Sequence, residues 1–353
     1  MWYSDDKEWG IQHLKGRFDH SSPTLDDVAA AAGVSTATVS RCLNLPDKVS
    51  QRTRERVMES VERLGYTPNF GARALAAKRT HTIGAIIPTM ENAIFARGLQ
   101  AFQERLNELG YTLLVSSTAY KPDLEAQQIK ALVARGADGL LLIGYARDPA
   151  IYEFLENRQV PALLAWSYLP DATQPSIGFD NRAAMAALTR EVLAMGHRHI
   201  AVISGIVAGN DRAAERIEGI FATLRAEGMD PSLVPVIETP YGIDTGAAAF
   251  GTLMQAEQRP TIVMCVNDVL AAGAMQRARQ MGIDVPGDVS ITGFDDIDVA
   301  ELVTPPLTTV HVPHRRMGTM AADELVKMVE TKQAGASQCL ESTLCFRDSV
   351  RRI

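Results

Sequence analysis

Two different spacings of apolar residues divide the chain. Near its start Leu25, Val28, Ala29 and Ala32 recur at i, i+3, i+4 and i+7, which predicts a helix with one buried face. Thr24 can cap that helix with Asp27 three residues on, and Gly33 can end it in the left-handed conformation. Val34 plugs the corner, and Ser35 caps a second helix with Val39 and Leu43 inward and Thr36, Ala37, Ser40 and Arg41 outward. A third helix is predicted from about Ser50 to Leu64, with Val57, Val61 and Leu64 inward, Gly65 as its stop and Arg52, Arg54 and Arg56 outside. Two helices across a tight turn, backed by a third, make a helix-turn-helix over residues 21–67.

From Thr82 the spacing changes. Short apolar runs (TIGAIIP, YTLLVSST, GLLLIG, PALLAW, SIGFD) alternate with helical stretches such as GLQAFQERLNELG and LEAQQIKALVARG. The rhythm then restarts with HIAVISG, LVPVIETP, TIVMCVND and VSITGFDD, separated by RIEGIFATLRAEG and VLAAGAMQRARQMG. Alternating strand and helix predicts parallel sheets covered on both faces. The expectation is an α/β body over 82–353 with two similar lobes, the first at about 82–180 and the second at about 181–306. Between head and body, PNFGARALAAKRT over 68–81 starts with a proline that stops the preceding helix. It reads either as a plain linker or as a hinge helix capped by Asn69, too short to persist alone in water.

Composition narrows the choices. The chain has 353 residues, 46% hydrophobic and 22% charged, which are globular values that suit two or three domains. Four cysteines lie scattered without metal-ligand spacing and read as free thiols. No apolar run reaches the roughly 20 residues of a membrane span, and residues 1–20 lack the apolar core of a secretion signal. They read as a disordered extension, and the protein is expected in the cytoplasm. The net charge of −7 is uneven: residues 21–80 carry nine Lys and Arg against six Asp and Glu. Charge alone leaves ordinary surface variation open, but a basic head on an acidic body suits a head that meets a polyanion. His197 and His199 are read as a solvated loop rather than a metal site, and no P-loop, GxSxG or HExxH signature points to catalysis.

The stretches TLDDVAAAAGVSTATVSRCLN, VSQRTRERVMESVERLGYTPN and ARALAAKRTHTIGAIIP, with their spacing, resemble the LacI/GalR family of transcriptional regulators, and the likeness continues to the end of the chain. The resemblance implies that the second helix reads the major groove, with base contacts from Thr36, Ala37 and Arg41. It also implies that the hinge folds on DNA when two subunits pair, with Leu75 wedged into the minor groove beside Ala72. The full DNA-contact set expected is Thr24, Ser35, Thr36, Ala37, Thr38, Ser40, Arg41, Asn44, Ser50, Asn69, Ala72 and Leu75. The partners implied are a pseudo-palindromic double-stranded operator, a second copy of the chain (with a tetramer also open) and a small-molecule effector, with no cofactor, metal or membrane. The resemblance further implies a chain that returns to the first lobe over about 310–332 and ends on the second over 333–353.

Ligands of open α/β sheets bind beyond the carboxyl ends of the strands. The residues just after the strands form a polar set with a few aromatics, suited to a sugar or sugar acid. The effector set expected is Phe95, Trp166, Asn210, Arg212, Arg216, Tyr241, Asn267 and Asp268, with Asn92 and Asp180 close by. Arg216, Asp268 and Tyr241 carry over from the family. Asp268 reads equally as the cap of the following helix, Arg216 also as a salt-bridge partner, and Asp295–Asp296 as structural caps. Phrases such as YKPDLEAQQ, GFDNRAA, GHRHIA and PHRRMG resemble the gluconate-operon repressor branch. The alternative of another class is a cytosolic carbohydrate-binding protein or carbohydrate enzyme without a DNA role.

Overall fold

A computed structural model describes residues 23–67, 79–91, 93–169 and 172–353. The expected extension 1–20, and Pro68, Asn69, Ala72 and Leu75 of the expected hinge, lie outside the described residues. The chain forms two compact units, a head up to residue 78 and a body from Arg79.

The head holds α1 (Leu25–Ala32), α2 (Thr36–Asn44) and α3 (Gln51–Leu64). Thr24 and Asp27 form a reciprocal capping box, and Gly33 ends α1 at φ +60°. Ser35 caps α2 by accepting from the Thr38 N–H at 3.2 Å. Val28, Ala29, Ala32, Val39, Cys42 and Val57 make the core, with Val34 and Tyr66 packed against it. Cys42, one residue before Leu43, is the more deeply buried of the two.

The body has two parallel sheets. The first runs in the order β11–β5–β4–β3–β1–β2, with β1 Thr82–Ile87, β2 Thr112–Ser117, β3 Gly139–Ile143, β4 Ala162–Ala165, β5 Ser176–Gly178 and β11 Gln338–Cys339. β3 is apolar throughout, β1 is so after Thr82, and both are wholly buried, as strands covered on both faces must be. Helices α4 (Ala96–Glu108), α5 (Pro122–Ala134), α6 (Pro149–Asn157) and α12 (His314–Thr331) belong to this lobe. The second sheet runs β7–β6–β8–β9, with β6 Ile200–Gly205, β7 Val236–Thr239, β8 Ile262–Cys265 and β9 Ser290–Thr292. Helices α7 (Asn181–Ala194), α8 (Asp211–Ala226), α9 (Ile243–Leu253) and α10 (Asp268–Gln280) cover it, and the short α11 (Val299–Leu302) follows. β10 (Thr309–His311) bridges to the end of this sheet and pairs antiparallel with β12 (Thr343–Cys345).

The chain crosses between lobes after β5, after β10 and after β11. Two boundaries differ from expectation. Residues 309–311 stay with the second lobe, because Asp295 N–H donates to Val310 O at 3.0 Å. Residues 338–339 belong to the first, because β5 leaves an open edge that β11 fills in parallel register. The tail beyond them does close on the second lobe, where Ile291 N–H donates to Ser349 O at 2.9 Å.

His197 is not in a solvated loop. It is fully buried, with Nδ1 2.9 Å from the Thr261 hydroxyl and Nε2 3.0 Å from the Arg351 carbonyl. Burial pushes its pKa below the ordinary 6.5. The unfolded imidazole therefore takes up its proton before the folded one does, so its contribution to stability is present above about pH 6.5 and is lost as pH falls. Between pH 7.5 and 5.5 the melting temperature of His197→Gln should fall less than that of the wild type, as scanning calorimetry can measure.

Candidate functional site

In the head, the caps occupy part of the expected DNA-contact set. Thr24 donates to Asp27 at 2.7 Å, Ser35 lies 2.9 Å from Thr38, and Ser50 lies 2.9 Å from Thr53. The Asn44 amide donates to Ser40 O at 2.9 Å. These bonds hold the starts of all three helices and the last turn of α2 in shape. Ala37 and Arg41 stand exposed on α2, while Thr36, Thr38 and Ser40 are half-buried. Arg52, Arg54 and Arg56 are exposed on α3. The arrangement presents one helix with a small residue and a guanidinium outward, suited to a groove.

In the body, the carboxyl ends of both sheets meet at a cleft. It is lined by Ile94, Phe95, Tyr120, Trp166, Asn210, Arg212, Arg216, Tyr241, Asn267 and Asp295. Seven of the expected effector residues thus come together, and Asp268 does not line the cleft. Its carboxylate is fully buried behind the wall, accepting from the Thr309 hydroxyl at 2.6 Å and from Ile297 N–H at 2.9 Å. Burial, and then the charge of Asp295, push its pKa up. Nor does Asp268 cap α10: Asn267 does, accepting from Leu270 N–H at 2.9 Å. Asp180 caps α7 through Ala183 N–H, and Asn92 lies outside the described residues.

Asp295, not Asp268, lines the cleft. Its Oδ1 accepts from Arg216 Nη2 at 3.0 Å, so it is a cleft residue rather than a simple cap. Arg216 also donates to Asn181 Oδ1 at 2.9 Å and to Val266 O at 2.7 Å, and lies 3.7 Å over the Phe294 ring. Both Arg216 and Asp295 are almost wholly buried. Arg212, one turn earlier on α8, gives one N–H to Asp211 at 2.9 Å. Across the cleft Tyr120 faces Tyr241 at 5.5 Å between ring centres, and Asn210 donates to the Tyr241 hydroxyl at 3.1 Å. Burial pushes the pKa of both tyrosines up, so both rings are neutral phenols.

Three buried atoms in this wall have no partner among the described residues: Asn210 Oδ1, Asn267 Nδ2 and Asp295 Oδ2. Buried polar atoms are nearly always satisfied, so these mark a place for polar ligand atoms. The cavity left between these side chains is only about 10 Å³, far below the roughly 300–1,000 Å³ of ligand pockets, so the cleft as it stands is closed to a sugar-sized ligand. A groove of about 440 Å³, far larger than the 10 Å³ of the cleft, lies at the far edge of the first lobe between Leu155, Pro175 and Met328, but the charged side chains on it, Glu156 and Lys332, are exposed. Sequence reading missed Tyr120 and Asn181, and it set Asp295 aside as a structural cap. The Phe-Asp-Asp after β9 was the available signal for the last.

Residues 24–69 match the model of bacterial regulatory proteins of the lacI family, and residues 189–350 match that of the periplasmic binding protein-like domain. The HTH-type transcriptional repressor PurR of Vibrio atlanticus is 33% identical over 312 residues, covering 88% of this chain and 92% of its own. The chain belongs to the lacI family. Its fold is likewise similar to that of the lac repressor dimer bound to operator and the anti-inducer ONPF, at a TM-score of 0.82 and 28% identity over 94% of this chain and all of that one. The transcription regulator GntR from Chromobacterium violaceum is similar at a TM-score of 0.71 and 29% identity, over 76% of this chain and 98% of its own. The protein is therefore a DNA-binding transcriptional repressor whose body holds a small-molecule effector. The alternative of a carbohydrate enzyme or carrier without a DNA role falls, since the relatives are transcriptional regulators.

Removing Arg216 leaves the Asp295 carboxylate buried and unpaired. Arg216→Leu should lower the body's unfolding free energy by about 3–5 kcal/mol. Arg216→Leu with Asp295→Leu should recover part of the loss, as urea unfolding can measure. Equal losses in the two variants would show that the pair is not what matters.

Proposed function

We propose that the effector is a sugar acid, with D-gluconate as the first candidate, and that its binding releases the repressor from DNA. The three unpartnered polar atoms of the cleft carry this reading. Two can accept and one can donate, and a hydroxyl does both, so a polyol satisfies the set. Arg212 has further N–H groups for a carboxylate. Phe95, Trp166 and Tyr241 supply apolar ring faces. The likeness to a regulator called GntR supports the same choice. The cavity of about 10 Å³ is too small for a sugar acid, so the lobes part to admit the effector and differ in spacing between the two states.

On the DNA side, Arg41 pairs with guanine, Ala37 and Thr36 read by close contact, and Ser35, Thr38, Ser40, Asn44 and Ser50 support phosphate contacts from the ends of the helices. Asn69, Ala72 and Leu75 form the hinge contact in the minor groove. A two-fold operator requires paired heads, so the working unit is a homodimer, acting in the cytoplasm.

The test takes a pseudo-palindromic site selected from random duplexes and follows binding by anisotropy. Affinity should fall steeply with salt, and Arg41→Ala should lose about 10-fold in preference over a site changed at one guanine. In thermal-shift measurements D-gluconate should raise the melting temperature and D-glucose should not. A shift with glucose alone, or with neither, overturns the sugar-acid assignment.

A further inference from the structure

Asp295 stands at φ +106°, a conformation that costs a non-glycine residue energy and persists only where the surroundings hold it. Three bonds do so. Arg216 holds its carboxylate, Val310 O accepts from its N–H, and its carbonyl lies 3.1 Å from His314 Nε2. His314 opens α12 of the first lobe and is almost wholly buried. Its other ring nitrogen, Nδ1, lies 3.2 Å from Trp166 Nε1.

An indole N–H donates and cannot accept, so Nδ1 must be the acceptor. A carbonyl accepts and cannot donate, so Nε2 must carry the proton. Only the neutral Nε2–H tautomer makes both bonds. Burial favours the neutral ring as well, pushing the pKa below its ordinary value. Trp166 in turn cannot shift freely. A Cβ on Gly98 would come within 2.6 Å of its ring, its carbonyl accepts from Asn181 Nδ2 at 3.0 Å, and Asn181 also accepts from Arg216. The loop of contacts therefore closes: Arg216, Asp295, His314, Trp166, Asn181 and back to Arg216.

We propose that His314 is a positioning residue for the effector, clamping the Asp295 peptide from the first lobe so that the unpartnered carboxylate oxygen faces the cleft. This rests on the cleft being the effector site. The clamp also ties the effector wall to α12. At the far end of that helix, Arg79 donates to Val329 O and Glu330 O at 3.4 and 3.1 Å. A displacement of Asp295 thus bears on a single rigid helix of about 27 Å, whose last carbonyls hold the first described residue of the body.

The test uses the full chain. Nitrogen-15 spectra of the imidazoles and indoles at pH 7, assigned with His314→Gln and Trp166→Phe, should show His314 as the neutral Nε2–H form and the Trp166 N–H hydrogen-bonded. Calorimetry with D-gluconate should show binding weakened about 10-fold or more in His314→Phe, because the bonds to Asp295 and Trp166 go. His314→Gln, whose amide can accept from Trp166 and donate to Asp295, should stay within about threefold of wild type. If His314→Phe fails to fold, Trp166→Phe should show the loss. An Nδ1–H or cationic His314, or gluconate binding in His314→Phe equal to wild type, overturns the proposal. If wild type does not bind gluconate, the sugar-acid reading fails, and the spectra still decide the state of His314.

Discussion

The buried pair of Arg216 and Asp295 is the constraint from which the body's site is built. A guanidinium and a carboxylate taken out of water are costly unless each is matched, and here the matching is nearly complete. Arg216 reaches Asn181, Val266 and Asp295 at once, tying together the starts of α7 and α10 and the turn after β9. The carboxylate oxygen left without a partner among the described residues, Asp295 Oδ2, belongs to the same wall as Asn210 Oδ1 and Asn267 Nδ2. The interactions that hold the wall together also leave these three polar atoms without a partner among the described residues.

The polar wall and the apolar core need each other. Parallel sheets buried on both faces end in loops where backbone and side-chain polar groups must find partners. In this chain those loops converge from both lobes, so the polar groups satisfy one another across the gap. Tyr145 donates from its hydroxyl to Glu215 at 2.8 Å, and its N–H donates to Asp211 at 2.8 Å, both across the lobes. His314 and Asp295 do the same nearer the centre. Such contacts are specific to one spacing of the lobes, which gives a bound effector something definite to alter.

Much of this was legible in the sequence, for identifiable reasons. Caps and turns are local, so Thr24, Gly33, Ser35 and Gly65 could be read directly: Thr24 and Ser35 start their helices, and Gly33 and Gly65 end theirs, as expected. Buried parallel strands show as continuous apolar runs, and β1, β3 and β8 lie where those runs are. Long-range pairing was not legible. Nothing local to Gln338–Cys339 says that it fills the edge beside β5, and nothing local separates Asp268 from Asp295. Both carboxylates follow a strand at its carboxyl end. Only the packing of Thr309 and Ile297 around one, and of Arg216 against the other, assigns their parts. His197 was misread for the same reason, since its partners Thr261 and Arg351 are 64 and 154 residues away.

The central claim is that the polar set of this cleft governs the grip of the head on DNA. The most direct measurement is operator affinity by anisotropy at fixed salt, with and without D-gluconate, in wild type and in Arg212→Gln. Gluconate should weaken operator binding about 10-fold or more in wild type, and by much less in Arg212→Gln. An equal response in both proteins, or operator affinity untouched by gluconate in wild type, would contradict it.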